Sequence, residues 1–181
     1  MNRQMILGLT TLCLVVAGTS GDWQIAEAAK GKPAPSASRP APPPMTKEEL
    51  QAFLARPIIA RLATVRANGS PQIVPMWFLY EDGIMYMSTR TYTAKVKHLQ
   101  KNPRAAVVVD VMEAPLKNKV VTLEGTVEVQ TTGVKEVTTK IYHKYMGTEG
   151  AATPAAQQSI NSPRVILKIT PKKIESLDTT R

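Results

Sequence analysis

The sequence predicts a mainly β protein, an antiparallel barrel of six or seven strands accompanied by a few helices. Short runs of apolar and polar residues are joined by two hairpin turn signals, Ala67-Asn68-Gly69-Ser70 and Glu81-Asp82-Gly83. Strands and helices do not alternate in a repeating pattern, and the sequence contains no glycine-rich dinucleotide fingerprint, which argues against a parallel sheet. Many short strands joined by tight turns favour an antiparallel barrel.

The individual strands are predicted from β-branched and aromatic residues between turn signals. Gly125 interrupts the fifth strand and indicates a bulge or a close backbone approach. Pro171 divides the C-terminal segment into a pair of strands. The predicted strands are residues 59–66, 71–80, 84–88, 105–111, 119–130, 164–170 and 172–178.

Apolar residues at helical spacing and terminal signals predict the helices. The predicted helices lie between Thr46 and Pro57, over Ala94–Lys101 and over residues 134–146. The third would end at Gly147 and plug one end of the barrel. Residues 148–162 are small and polar and predict a mobile loop.

The first 28 residues have the composition of a secretory signal peptide. Arg3 supplies the positive start, residues 5–17 the apolar run, and Ala26-Glu27-Ala28 the cleavage site. We therefore expect a periplasmic or extracellular protein that touches the membrane only if the leader remains as an uncleaved anchor. The single cysteine, Cys13, would leave with the leader, so we expect neither disulfides nor thiolate metal sites in the mature chain.

The remaining chain divides into a Pro/Ala-rich linker at residues 29–45, predicted to be an extended spacer, and one folded domain at residues 46–181. The formal charge of +9 indicates a basic surface. Lysine and arginine are scattered, however, and no zinc, RNA-binding or helix-turn-helix motif accompanies them. We therefore expect no nucleic-acid partner.

A candidate phosphate site lies where the third predicted strand meets the short helix. The segment Thr89-Arg90-Thr91-Tyr92-Thr93 places hydroxyls and a cation just before the helix start. Free backbone N–H groups, the positive end of the helix dipole and Lys95 in the first turn all favour a bound dianion.

Four segments in this order, PMWF, STR, AKVK-x-L and NPR, resemble the pyridoxamine 5'-phosphate oxidase-like superfamily of split β-barrels. Within that superfamily the resemblance is to the flavin- and deazaflavin-dependent oxidoreductases, and it spans residues 46–178. It implies a homodimer that binds its cofactors in two clefts at the dimer interface. It also implies hydride transfer between the cofactor ring and a small conjugated substrate, with FMN as the expected cofactor and a deazaflavin coenzyme as the alternative.

The resemblance also assigns site residues. The phosphate would be held by Ser88, Thr89, Arg90 and Lys95, and the ring edge would meet the backbone at Val74, Pro75, Met76 and Trp77. Trp77 and Phe78 are neighbours on a strand, so one should face the core and the other should wall a ring slot or a dimer contact. Because the cofactor brings its own reactivity, no catalytic acid, base or nucleophile is expected.

Other interpretations remain open at this point. Lys95 and Arg90 could be solvated surface cations, and Met76, Met85 and Met87 could be core filler or line a haem pocket. An exported barrel that binds haem, another tetrapyrrole or a flavin without catalysis is the alternative function, with His98 and His143 as the histidines to test. No metal site is expected, because two histidines are too few for zinc. The last strand carries Leu177 where the deazaflavin branch commonly has a tryptophan.

Overall fold

The computed structural model describes residues 42–180, which form seven strands and four helices. The predicted leader and most of the predicted linker lie outside the described residues. The helices are α1 (Lys47–Ala55), α2 (Ala94–Lys101), α3 (Val134–Ala152) and α4 (Pro154–Ile160). The strands are β1 (Ala60–Val65), β2 (Pro71–Met76), β3 (Leu79–Glu81), β4 (Ile84–Arg90), β5 (Arg104–Ala114), β6 (Lys117–Gln130) and β7 (Arg164–Asp178).

All seven strands belong to one antiparallel sheet with the order β2-β1-β5-β6-β7-β4-β3. The two edge strands, β2 and β3, are separated in the chain by only Trp77 and Phe78. Because so short a link spans at most about 11 Å, the two edges must lie close together and the sheet must curl on itself. No ladder pairs β2 with β3 within residues 42–180, so the barrel is split at this point. The predicted mainly β, split-barrel fold is confirmed.

The barrel interior is filled by apolar side chains from every wall. Phe78, Met85 and Met87 are fully buried, and Met76 is 8% exposed. These three methionines are therefore core residues, as one of the two interpretations held. Helix α2 adds Val96 and Leu99 to the same core.

Gly125 lies at a register shift between β6 and β7, where Lys172 is the extra residue of a bulge. A Cβ atom at Gly125 would lie 2.2 Å from the carbonyl oxygen of Thr170, so the backbones approach too closely for any other residue. The bulge prediction is confirmed. The division of β7 into two strands was wrong, because β7 pairs with β6 on both sides of Pro171 and runs without a break.

Two further predictions needed correction. Residues 71–80 are two strands, because the chain leaves one sheet edge and joins the other at Trp77–Phe78. Residues 148–162 are mostly helical, because a second helical segment follows the break in α3 and α4 comes after it. The break itself lies at Gly147, where φ is 69°, so the predicted end of the first segment is confirmed. Thr153 caps α4 by accepting a hydrogen bond from the backbone N–H of Ala156, and a proline follows as its first residue, which is a helix-start signal.

Helix α3 lies against β3, β4 and β7, where it covers the split side of the barrel. Tyr145 holds it there, since its hydroxyl donates to the carbonyl of Ile58 at 2.6 Å and accepts from the Phe78 N–H at 3.2 Å. Among residues 42–180, no helix has the length and apolar character needed to cross a membrane.

Candidate functional site

The end of β4 and the start of α2 form the corner in which a phosphate was predicted. Lys95 extends back from the first turn of α2 and donates to the Thr89 hydroxyl at 3.2 Å. The hydroxyls of Thr89 and Thr93 lie 3.2 Å apart. Thr93 occupies the N-cap position without a side-chain capping bond, since its hydroxyl donates instead to the Arg90 carbonyl. The structure therefore brings Thr89, Thr93 and Lys95 together as the sequence predicts.

Ser88 and Arg90 lie on the opposite face of β4 from Thr89, because side chains alternate along a strand. The Ser88 hydroxyl is 2.7 Å from that of Thr138 on α3. Arg90 is exposed and donates to the Tyr92 hydroxyl at 2.8 Å, which raises the pKa of Arg90. The predicted phosphate residues thus occupy both faces of one strand end.

Arg164, the first residue of β7, lies on the same face as Ser88 and Arg90 and was not predicted. Its Nε donates to the Ser88 hydroxyl at 2.8 Å, and its NH1 donates to the carbonyl and hydroxyl oxygens of Ser159, each at 3.2 Å. Arg164 is half-buried beneath α3 and α4. Only the β4–β7 pairing brings it to this place, and a single sequence does not reveal that register.

The corner carries excess positive charge. Burial, and secondarily the charge of Arg164, lower the pKa of Lys95. Burial also lowers the pKa of Arg164, while Tyr142 acts to raise it and the charge of Arg90 to lower it. None of the ion pairs formed within residues 42–180 includes Arg90, Lys95 or Arg164. Half-buried cations without a carboxylate partner are the chemistry expected of a site for an anionic ligand.

The predicted ring residues lie where the chain crosses the split. Phe78 is fully buried and Trp77 is partly exposed, so one of the two aromatic residues faces the core and the other does not, as predicted. The Trp77 indole stacks on Tyr145, with centroids 4.7 Å apart and planes 3° from parallel, and meets the edge of Tyr142 at 5.3 Å. At the end of β2, Val74 is half-buried, Pro75 is exposed and Met76 is buried.

Tyr142 links the aromatic cluster to the cationic corner. Its hydroxyl donates to the Ser159 hydroxyl at 2.6 Å, and Ser159 in turn accepts from Arg164. A short chain of contacts therefore connects Trp77 with Arg164.

The histidines do not form a metal site. The Nδ1 atom of His98 lies 3.4 Å from the Thr64 hydroxyl, and His143 is exposed on α3. Within the described part of the chain, no group of three or more His, Cys, Asp or Glu side chains could hold a metal ion.

Lys144 is another half-buried cation, and sequence reasoning missed it. Its ammonium donates to the Leu54 carbonyl at 2.7 Å and lies 3.5 Å from the centre of the Phe78 ring. Burial lowers its pKa to about 7. It lies beside the aromatic cluster, so it is part of the surroundings of the candidate ring site.

A curled seven-stranded antiparallel sheet with a cationic strand–helix corner defines the class of protein. The family model for pyridoxamine 5'-phosphate oxidase matches residues 46–178. The chain therefore belongs to the pyridoxamine 5'-phosphate oxidase-like family of split barrels.

Solved structures agree with this assignment. The conserved hypothetical protein Rv2991 from Mycobacterium tuberculosis is 24% identical with a TM-score of 0.65, and the match covers 74% of this chain and 85% of that one. An F420 reductase is 27% identical with a TM-score of 0.56, covering 68% and 94%. The FAD and haem binding protein from Mycobacterium smegmatis is 17% identical with a TM-score of 0.62, covering 75% and 72%. No curated protein matches the chain.

Proposed function

We propose that this protein is a flavin- or deazaflavin-dependent oxidoreductase, in which Lys95 and its neighbours hold the cofactor phosphate. The observation that carries the proposal is the pair of half-buried cations, Lys95 and Arg164, which have no carboxylate partner among the described residues. The family match and the 27% identity to an F420 reductase support the same class of ligand.

The phosphate fits the corner chemically. Lys95 offers an ammonium, Thr89 and Thr93 offer hydroxyls, and the first turn of α2 directs backbone N–H groups toward the same space. A dianion there would replace the missing counter-charge and would raise the pKa of Lys95 toward its ordinary range. FMN is the simplest ligand of this kind, and a phosphorylated deazaflavin meets the same requirement.

The chain's own task is to position the ligands. When bound, the cofactor supplies the hydride chemistry. Lys95 and Thr89 would fix the phosphate, the backbone around Val74–Trp77 would meet the ring edge, and the cluster of Trp77 with two tyrosines would keep water from one side of the site. The substrate would be a small conjugated molecule that can lie flat on the ring.

A binding titration followed by turnover tests the proposal. The full chain is titrated with FMN, with a deazaflavin coenzyme and with riboflavin, and binding is followed by ligand fluorescence. We expect a phosphorylated ligand to bind and riboflavin to bind at least about tenfold more weakly, since it lacks the charged group. The loaded protein, once reduced, should be reoxidised by a quinone or enone under anaerobic conditions. Failure of both phosphorylated ligands to bind would refute the proposal.

We also propose a homodimer formed through the outer face of β1, β5 and β6. Ala63, Ala106 and Val108 point away from the core on this face, and Ile73 beside them is 64% exposed. Small apolar side chains on the outer face of a sheet suit a close contact with a second copy. Light scattering should give twice the monomer mass, and a Val108→Asp variant should be monomeric.

The alternative function is an exported haem- or flavin-binding barrel without catalysis. The same purified protein can distinguish it from the oxidoreductase. A haem titration that produces a Soret shift, lost in a His98→Ala or His143→Ala variant, would favour it. We also propose that the protein is exported and its leader removed. Mass spectrometry of the secreted chain should then find a start near residue 29.

A further inference from the structure

We propose that the cavity formed by β1, β5, β6 and β7 on the outside of the barrel binds a planar organic acid, at a site separate from the candidate cofactor site. The cavity has a volume of about 690 Å³, which lies within the range of ligand pockets. Neither Lys95 nor Trp77 lines it. The inference therefore goes beyond the proposed function and does not depend on it.

The floor of the cavity is made of small residues on three neighbouring strands. Ala63 of β1 is directly opposite Ala106 of β5, and Ala106 pairs in turn with Glu124, the residue before Gly125 of β6. Because neighbouring strands lie about 4.8 Å apart, this floor is about 10 Å wide. With no side chain larger than a methyl group at Ala63, Ala106 or Gly125, a planar ring system can lie close to the backbone.

The β-bulge brings an additional cation to the rim of the cavity. Lys172 and Lys173 are consecutive residues of β7 and both line the cavity, although neighbours in a regular strand point to opposite faces. Lys172 is the extra residue of the bulge, and bulges redirect side chains in this way. The close approach of Gly125 to the carbonyl of Thr170 lies at the same register shift. The bulge therefore has a consequence for the cavity as well as for strand pairing.

The rim carries more positive than negative charge. Three cations and one carboxylate line the cavity, which leaves a net charge of +2, and these residues are Arg104, Lys172, Lys173 and Glu124. Lys173 pairs with Glu175 at 2.8 Å, and the charge of Glu124 also acts on Lys173. None of the ion pairs formed within residues 42–180 includes Arg104 or Lys172. A bound anion would supply their counter-charge.

The floor and the rim together define the class of ligand. A small inorganic anion would leave the floor uncovered, and a neutral ring would leave the two cations without a counter-charge. Asn102 and Thr126 also line the cavity, and an amide and a hydroxyl can donate hydrogen bonds to a carboxylate. An aromatic carboxylate of one or two rings meets all of these requirements.

The cavity borders the proposed dimer face and extends beyond it. Ala63 and Ala106 belong to both, whereas Arg104 begins β5 directly after α2 and Lys172 lies across β6 from it, outside that face. One chain supplies both cations and the floor. The Val108→Asp variant, which should be monomeric, is therefore expected to bind the acid as tightly as the wild type does.

The test titrates the full chain with 2-naphthoate and with its neutral analogue 2-naphthalenemethanol, and follows the backbone amide NMR signals. We expect the acid to bind about fivefold more tightly than the alcohol, because two exposed cations each add a modest attraction. The acid should shift the signals of Gly125, Thr126 and Lys172. Added salt should weaken binding of the acid and leave binding of the alcohol unchanged.

Matched variants locate the site. Arg104→Gln and Lys172→Gln should each weaken naphthoate binding about two- to threefold, and the double variant about fivefold. Lys117→Gln, an exposed lysine at the other end of β6, and Lys95→Gln in the cofactor corner should leave the affinity unchanged. Unfolding temperatures of all variants exclude misfolding as the cause.

Four results would overturn the proposal. They are failure of naphthoate to bind, equal affinity for the acid and the alcohol, an unchanged affinity in the double variant, and loss of binding in Lys95→Gln, which would place the acid in the cofactor corner. Loss of binding in Val108→Asp would contradict a site built by a single chain. The proposed cofactor site is tested by flavin binding and stands or falls separately.

Discussion

Arg90 of β4 and Arg164 of β7 lie directly opposite each other across an antiparallel strand pair. Because the two positive charges repel each other, replacing Arg90 by glutamine should raise the Tm of the ligand-free protein at low ionic strength. The gain should shrink as salt is added, because salt screens exposed charges. Thermal unfolding at two salt concentrations checks this. A lower Tm for the variant, or a gain that does not depend on salt, would show that the pair is not a source of repulsion.

Gly125 should tolerate no side chain. In a Gly125→Ala variant the new methyl group would overlap the Thr170 carbonyl, to which it would lie at 2.2 Å, so β6 and β7 must separate locally. We expect the free energy of unfolding to fall by about 1–3 kcal/mol or more, as for other overpacked sites. Urea unfolding measures it. Gly83→Asn is the matched control, since Gly83 has φ of 78° and open space around it, and asparagine accepts that backbone conformation. Equal losses for the two variants would contradict the close approach.

Lys144 should make stability depend on pH. The unfolded chain takes up this proton near pH 10.4, whereas burial lowers the folded-state pKa to about 7. Between these values the unfolded state binds more protons, so stability falls as pH decreases from about 10 to 7 and then levels off. A Lys144→Met variant removes the titrating group. Its stability relative to the wild type should therefore increase as the pH falls from about 10 to 7. Denaturant unfolding at several pH values checks this, and an advantage that stays constant would place the pKa of Lys144 near its ordinary value.

Much of the fold could be predicted because its signals are local. The turns at residues 67–70 and 81–83 fix two hairpins, and the bounds predicted for α2 agree with the structure. The errors arose where the structure of a segment depends on pairing with strands that are distant in the sequence. Trp77–Phe78 is a break between strands because the sheet curls there, and β7 stays continuous through Pro171 because β6 pairs along its length.

The candidate site was likewise predictable only where its residues are close together in the sequence. Thr89 and Lys95 are six positions apart, so a strand end followed by a helix start was enough to bring them together. Arg164 and Ser88 are separated by 76 positions, and only the β4–β7 register joins them. Ser159 was also missed, because α4 was expected to be a loop. Recognition of Thr153-Pro154 as a helix start would have placed Ser159 on a rigid element.

The measurement that tests the central claim most directly is the ratio of FMN to riboflavin affinity in the wild type and in Lys95→Gln. If Lys95 holds the phosphate, the wild type should prefer FMN by about tenfold or more, and the variant should lose most of that preference with riboflavin binding unchanged. Lys97→Gln should keep the wild-type ratio. An FMN preference that is equal in the wild type and in Lys95→Gln would contradict the account, because the phosphate would then be held elsewhere.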